Sequence, residues 1–305
     1  MAVVFRVATR RSALALVQTR WVIERYRSMN NWFVYMENQI VTEGDRVQDR
    51  PLYEVGGKGL FIKELERALL DGEAEIAVHS MKDLPAELAP GLAVIAVPPR
   101  ESPWDLLLTR DGRGLSELPK NARVGTTSLR RQLQLRDARS DLEFIPLRGN
   151  IDTRLRRLEA GDFDAIVLAE AGVRRLGLSV KAVSLEGVCV PAIAQGALAI
   201  EGSPKMLAEG NPPIDRFVAA LEHSDTRVET DAERAVQRAL GADCVTPVGA
   251  LARVDSREQT LSIQGFLASN DGQRTARARV SGALHEGETL GRALADELRR
   301  SLDAP

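Results

Sequence analysis

The chain is poor in several residue types, and each shortage removes a class of function. Two cysteines in 305 residues, Cys189 and Cys244, cannot build a disulfide framework, so a reducing cytoplasm is the expected setting. Three histidines without clustered Cys/His spacing give no metal-site pattern. No apolar run approaches the roughly 20 residues that span a bilayer. The first residues, MAVVFRVATRRS, read as a strand and lack the regions of a signal peptide. A net charge of −2 leaves no global attraction for nucleic acid or a membrane surface. Lysine is also scarce. Most of the 41 basic residues are Arg, so Lys58 and Lys82, both in loops, mark positions suited to a compact ammonium.

What is present is an alternation. VVFRVA reads as a strand, ALALVQTRWVIERYR as an amphipathic helix that Ser12 can cap, and WFVYMENQIV as a strand. The helix LFIKELERALLDG and the strand EIAV follow, and after PPRESP the alternation restarts. Short Gly-marked loops between such elements predict mainly parallel, doubly wound α/β lobes. GEAEIAV (72–78) echoes GDFDAIV (161–167), which points to two similar lobes. Beyond about residue 219 a long helix, three alternating strands and a last amphipathic helix predict a small α+β domain with an antiparallel sheet.

Polar residues gather where predicted strands end, the edge at which open α/β sheets bind ligands. The first lobe presents Arg10, Ser12, Lys58, and Lys82 with Asp83. The second presents GTTSLRR and Arg148. Residues 120–160 hold ten Lys or Arg against five acids, with Phe144 as the lone aromatic. Single-strand nucleic-acid binding normally adds stacking platforms, so small anions are the better fit. Arg130 and Arg131 fall in the first turn of a helix, where the dipole disfavours each cation by roughly 0.3–1 kcal/mol. Arg154 repeats the arrangement. Cations held there, beside free backbone N–H groups, make sense if an anion belongs with them. Arg136, Arg139 and Arg157 read as surface arginines. Asp83 is suited to stabilise a cation or move a proton, or else to a turn before Pro85. His79 reads as a packed or hydrogen-bonded histidine. Cys189 sits in a strand-like apolar run, whereas Cys244, in LGADCVTPVG, is placed for a reachable thiol.

The segments RVATRRSALAL, GGKGLFIKELE, IAVHSMKDLP, VGTTSLRRQ, LRGNIDTRL, AGVRRLG, PAIAQGA, ERA and CVTPVG, in this order, resemble the hydroxymethylbilane synthase (porphobilinogen deaminase) family. The resemblance implies two periplasmic-binding-protein-like lobes, 1–98 plus 199–217 and 99–198, and a C-terminal domain over 218–305. It implies a monomer whose dipyrromethane cofactor hangs by a thioether from Cys244. Four porphobilinogen molecules then lose ammonia and join head to tail as hydroxymethylbilane. On the same resemblance Asp83 is catalytic and steadies a cationic azafulvene. Lys82, Asp83, Thr126, Ser128, Arg130, Arg131 and Arg154 face the cofactor. Arg10, Ser12, Lys58, Arg148 and Arg175 hold substrate. Each pyrrole brings an acetate and a propionate, which gives the basic segment a purpose. No metal, nucleic acid or membrane is implied.

Four positions depart from the family pattern: Ala13 for Pro, Glu54 for Lys, Glu170 for a small residue, and Ala194 for Gly. Glu54 and Glu170 are expected to add negative charge near an anionic ligand. A two-lobed anion-binding protein without catalysis is the alternative, and it leaves Asp83, Cys244 and the third domain without a role.

Overall fold

Successive residues of VFRVATR face opposite sides, and both sides find partners. In this computed structural model, which describes residues 4–28, 34–42, 62–209, 212–243 and 246–304, strand β1 (Val4–Arg10) runs parallel to β2 (Val34–Ile40) and β3 (Ile76–Ser80). Phe5, Val7, Ile76 and Val78 join Ile23 and Phe217 in one core. Ala8 and Ala77 join Leu65 and Leu69 in another. Helices therefore cover both faces: α1 (Ala13–Arg27) supplies Ile23 and α2 (Lys63–Leu70) supplies Leu65.

The second lobe repeats the plan. Strand β6 (Arg123–Gly125) is parallel to β7 (Glu143–Ile145) and β8 (Ala165–Ala169). Helices α3 (Leu129–Ala138), α4 (Ile151–Glu159) and α5 (Glu170–Arg175) lie between and after them. The sequence echo maps onto equivalent places. Gly72 and Gly161 close α2 and α4 at φ +70° and +83°, left-handed values that favour glycine. Glu75 then accepts the Arg6 backbone N–H and binds its guanidinium, and Asp164 does the same for Arg123. The acid of each echo thus clamps its lobe's first parallel strand.

Neither sheet is wholly parallel. Strand β10 (Leu198–Gly202) lies antiparallel between β3 and β4 (Ala93–Ala96), giving the order β2-β1-β3-β10-β4. In the second sheet β5 (Asp105–Leu108) lies antiparallel between β8 and β9 (Ala182–Ser184), giving β7-β6-β8-β5-β9. Matching orders with an antiparallel fourth strand make the lobes topological copies. Periodicity does not report strand direction, so the sequence could not supply this.

Residues 197–227 return to pack with 1–101, and 228–305 pack with 102–196, so the chain forms two compact units. The first also holds α6 (Pro204–Ala208) and α7 (Pro212–Leu221). In the second, β11 (Val248–Asp255), β12 (Thr260–Ala268) and β13 (Thr275–Ala283) form an antiparallel meander. Helix α8 (Ser224–Leu240) precedes it and α9 (Gly287–Asp303) follows. Gly249 is required by close approach, since a Cβ there would sit 2.6 Å from the Pro191 carbonyl oxygen. Glu233 of α8, fully buried, accepts the backbone N–H of Ala252 at 2.9 Å and of Ala194 at 2.6 Å.

That bond holds Ala194 at φ +55°, where an L residue costs roughly 1–2 kcal/mol. Glycine removes that strain but loses a buried methyl, about 0.8 kcal/mol, and adds unfolded-state entropy, about 0.5–1 kcal/mol. The effects nearly cancel. Ala194→Gly is therefore expected to leave the urea midpoint within ~0.5 kcal/mol of wild type, unlike an ordinary buried Ala→Gly change. Ala194→Val, β-branched at positive φ, is expected to cost more than ~2 kcal/mol. A glycine variant destabilised as much as the valine one would refute the strain argument.

Candidate active site

In the first unit, β3 surfaces through a tight turn. Met81, buried, donates its N–H to Ala197 O at 3.0 Å, and Leu84 N–H closes the turn on Met81 O at 3.0 Å. With Met81 and Leu84 turned inward, Asp83 is exposed and Lys82 half-buried. Ser80 exchanges hydrogen bonds with Gln18 of α1 at 2.8 and 3.1 Å, which pins the strand end. Arg10 ends β1 and Ser12 caps α1, accepting from Ala15 N–H at 3.3 Å. Because β1 and β3 are parallel neighbours, Arg10, Ser12, Lys82 and Asp83 all lie at one carboxyl edge. His79 instead points into the core, its Nε2 2.8 Å from a Glu201 carboxylate oxygen on β10.

The second unit carries the arginines. Thr126 leaves the end of β6 buried, and its hydroxyl accepts Ser128 N–H at 3.2 Å. Ser128 caps α3, accepting Arg131 N–H at 3.4 Å. Arg130 and Arg131 are buried, and the anion their position demands comes partly from the chain itself. Asp105, fully buried at the start of β5, accepts from Arg131 Nη2 at 2.7 Å, Arg130 Nη2 at 2.9 Å and Gln195 Nε2 at 2.9 Å. Burial alone would raise its pKa, but Arg131 and Arg130 hold the carboxyl well below the usual range. Its stabilisation is therefore fully present above the unfolded value of about 3.9 and fades only as pH falls below that. Sequence reasoning missed Asp105 and Gln195. The available signal was a carboxylate opening the apolar strand DLLL, which must find a partner once buried.

One carboxylate between two guanidiniums leaves positive charge over. Arg131 Nη1 donates to Val167 O at 3.2 Å, but its buried Nε has no acceptor among the described residues. Arg154 Nε donates to Gly149 O at 2.8 Å. Its pKa falls to about 10 through burial and the charges of Arg131 and Arg148. Arg131 and Arg148 therefore lie close enough to oppose the charge of Arg154. Arg175 Nη2 donates to Gly196 O at 2.8 Å.

The surface arginines behave as their sequence context suggests: Arg139 pairs with Asp141, Arg157 with Asp162, and Arg136 lies over the Phe144 ring. Glu170 does not bring the loose charge its departure implied. Arg174 bonds it at 2.6 Å, and the Ser102 hydroxyl donates to its other oxygen. Lys58, Glu54 and Cys244 lie outside the described residues. Among the described residues no cluster of His, Cys, Asp or Glu could hold a metal, and no helix is long and apolar enough to cross a membrane.

A family model described as "Porphobilinogen deaminase, dipyromethane cofactor binding domain" matches residues 5–206, and "Porphobilinogen deaminase, C-terminal domain" matches 228–300. The chain belongs to the porphobilinogen deaminase family. A porphobilinogen deaminase of Sorangium cellulosum (strain So ce56) is 47% identical over 300 residues, 96% of this chain and 98% of the relative. That of Syntrophotalea carbinolica is 44% identical over 295 residues, 96% and 91% of the two chains. Among solved structures, a putative periplasmic sulfonate-binding protein from Methylobacillus flagellatus KT aligns at TM-score 0.41 and 10% identity, covering 77% of this chain and 72% of that one.

Cys189 is irregular rather than strand-like, yet it is 2% exposed among the residues around Leu107 and Val167. Burial and the Asp105 carboxylate push its thiol up to about 12. As a thiolate it is negligible near neutral pH. Iodoacetamide is expected to leave Cys189 of the native protein unmodified, and Cys189→Ala to cost about 1 kcal/mol in denaturant unfolding. Rapid native-state alkylation at Cys189, located by peptide mapping, would contradict the burial argument.

Proposed function

We propose that this porphobilinogen deaminase family member is a transferase of tetrapyrrole biosynthesis, which deaminates four porphobilinogen molecules and joins them head to tail as hydroxymethylbilane. The observation that carries the reading is the buried pair Arg130 and Arg131 sharing the single Asp105 carboxylate, with the orphaned Arg131 Nε donor and with Arg154 close enough to feel the charges of Arg131 and Arg148. Such a cradle fits a dipyrromethane bearing acetates and propionates. Thr126, Ser128, Arg130, Arg131, Arg154 and Lys82 hold that group, and Cys244 carries it through a thioether. When bound, it supplies the free pyrrole α-position at which the chain begins.

Arg10, Ser12, Lys58, Arg148 and Arg175 grip the carboxylates of each arriving substrate. Loss of ammonia breaks the aminomethyl C–N bond, its electron pair departs with nitrogen, and a cationic azafulvene remains. The exposed Asp83 carboxylate, on its turn at the end of β3, opposes that positive charge and accepts pyrrole N–H groups. Lys82 beside it balances substrate and cofactor carboxylates, which explains an ammonium and a carboxylate side by side at a strand end. A non-catalytic anion binder accounts for the arginines alone.

Intact-protein mass spectrometry is expected to show one adduct of two linked pyrroles, mapped to Cys244 and absent from Cys244→Ser. An adduct on Cys189 would overturn the assignment. Asp83→Asn is expected to keep the adduct and lose turnover by about 10²-fold or more, since an amide supplies only a dipole to the cation. Near-normal tetrapyrrole production by this variant would remove Asp83 from the chemistry.

The arginines are expected to fail in two ways. Arg131→Leu should yield mostly apo-protein, because it removes a cofactor anchor. Arg148→Leu should load cofactor and show a KM for porphobilinogen raised roughly tenfold or more. Full loading and unchanged KM in both variants would refute the carboxylate-clamp reading.

A further inference from the structure

Arg130 and Arg131 do not depend on a ligand to fix their positions. Besides its bond to Asp105, Arg130 gives Nη1 to Val190 O at 2.6 Å, and Arg131 gives Nη1 to Val167 O. Each guanidinium is thus held at two points. Asp105 is held in turn: its backbone pairs with Ala169 of β8, and Gln195 donates both to its Oδ1 and to Pro103 O at 2.7 Å. The residue before Gln195 is Ala194, whose N–H is fixed by Glu233 of α8. A continuous set of buried bonds therefore runs from the helix leading toward Cys244 to the arginine fork.

We propose that Asp105, braced by Gln195, is a positioning residue for the proposed reaction, holding Arg130 and Arg131 as a fixed, net-cationic fork before any pyrrole carboxylate arrives. The inference rests on the function proposed above. Its physical basis is preorganisation. A long arginine ordered during folding loses no rotamer freedom when a ligand binds. One carboxylate shared by two guanidiniums orients both while cancelling only one charge, so the fork still attracts an anion. A neutral residue at 105 would weaken one of the two points that hold each guanidinium and leave the two cations repelling each other without a shared anion.

The test follows adduct growth by intact mass after mixing apo-protein with porphobilinogen. Gln195→Met removes the brace at nearly constant volume and leaves the Asp105 charge in place. It is expected to melt within a few degrees of wild-type apo-protein and to acquire the adduct about tenfold more slowly. Asp105→Asn is expected to slow loading by about 10²-fold or more. Should it not fold, Gln195→Met carries the test. In a background carrying both Arg130→Lys and Arg131→Lys, Gln195→Met is expected to slow loading no further, because the brace acts through these two arginines; a purely structural role would leave the effects multiplicative. Wild-type loading rates in Gln195→Met, or multiplicative losses, would overturn the inference alone. A wild-type chain that acquires no pyrrole at all would overturn the proposed function and this inference with it.

Discussion

The second unit depends on the placement of one carboxylate. Asp105 is fully buried, a state unfavourable by several kcal/mol for an isolated charge. Two guanidiniums and an amide offset that penalty and in doing so fix the first turn of α3. The strand that bears Asp105 is the antiparallel member of its sheet, so its first residue lies beside Ala169, at the carboxyl end of β8. Reversing that strand would place the carboxylate at the other edge, away from the arginines.

Charge is distributed economically around this point. Glu170, Asp141 and Asp162 each neutralise a neighbouring arginine on the periphery. Arg130 and Arg131 share one carboxylate, and Arg154, partly desolvated, lies within reach of the charges of Arg131 and Arg148. The first unit uses opposite logic. Its carboxylate, Asp83, is exposed on a turn anchored by buried Met81, while the buried acid Glu201 is set against His79.

The duplicated lobes show how far sequence patterns reach. The echo of GEAEIAV in GDFDAIV was legible because each copy must close a helix with a left-handed glycine and clamp a strand with an acid. Most candidate site residues were legible for a related reason. Strand ends in α/β sheets are ligand edges, and polar residues there stand out against apolar strands. Asp105 and Gln195 were not, because a lone acid in DLLL and a glutamine in PAIAQGA acquire meaning only once their partners arrive.

The sequence by itself determined the alternating elements, the lobe repeat, the antiparallel C-terminal sheet and family membership. Each rests on local periodicity or on residues adjacent in the chain. Only the tertiary structure decided the direction of β5 and β10, the positive φ that Glu233 holds at Ala194, and the sharing of Asp105 between two arginines. These depend on contacts between residues from 25 positions apart, as Arg130 and Asp105 are, to 126 apart, as Gly202 and Ile76 are. No local pattern encodes such pairings, because they form only when a buried charge must find the one partner the fold brings within hydrogen-bond reach.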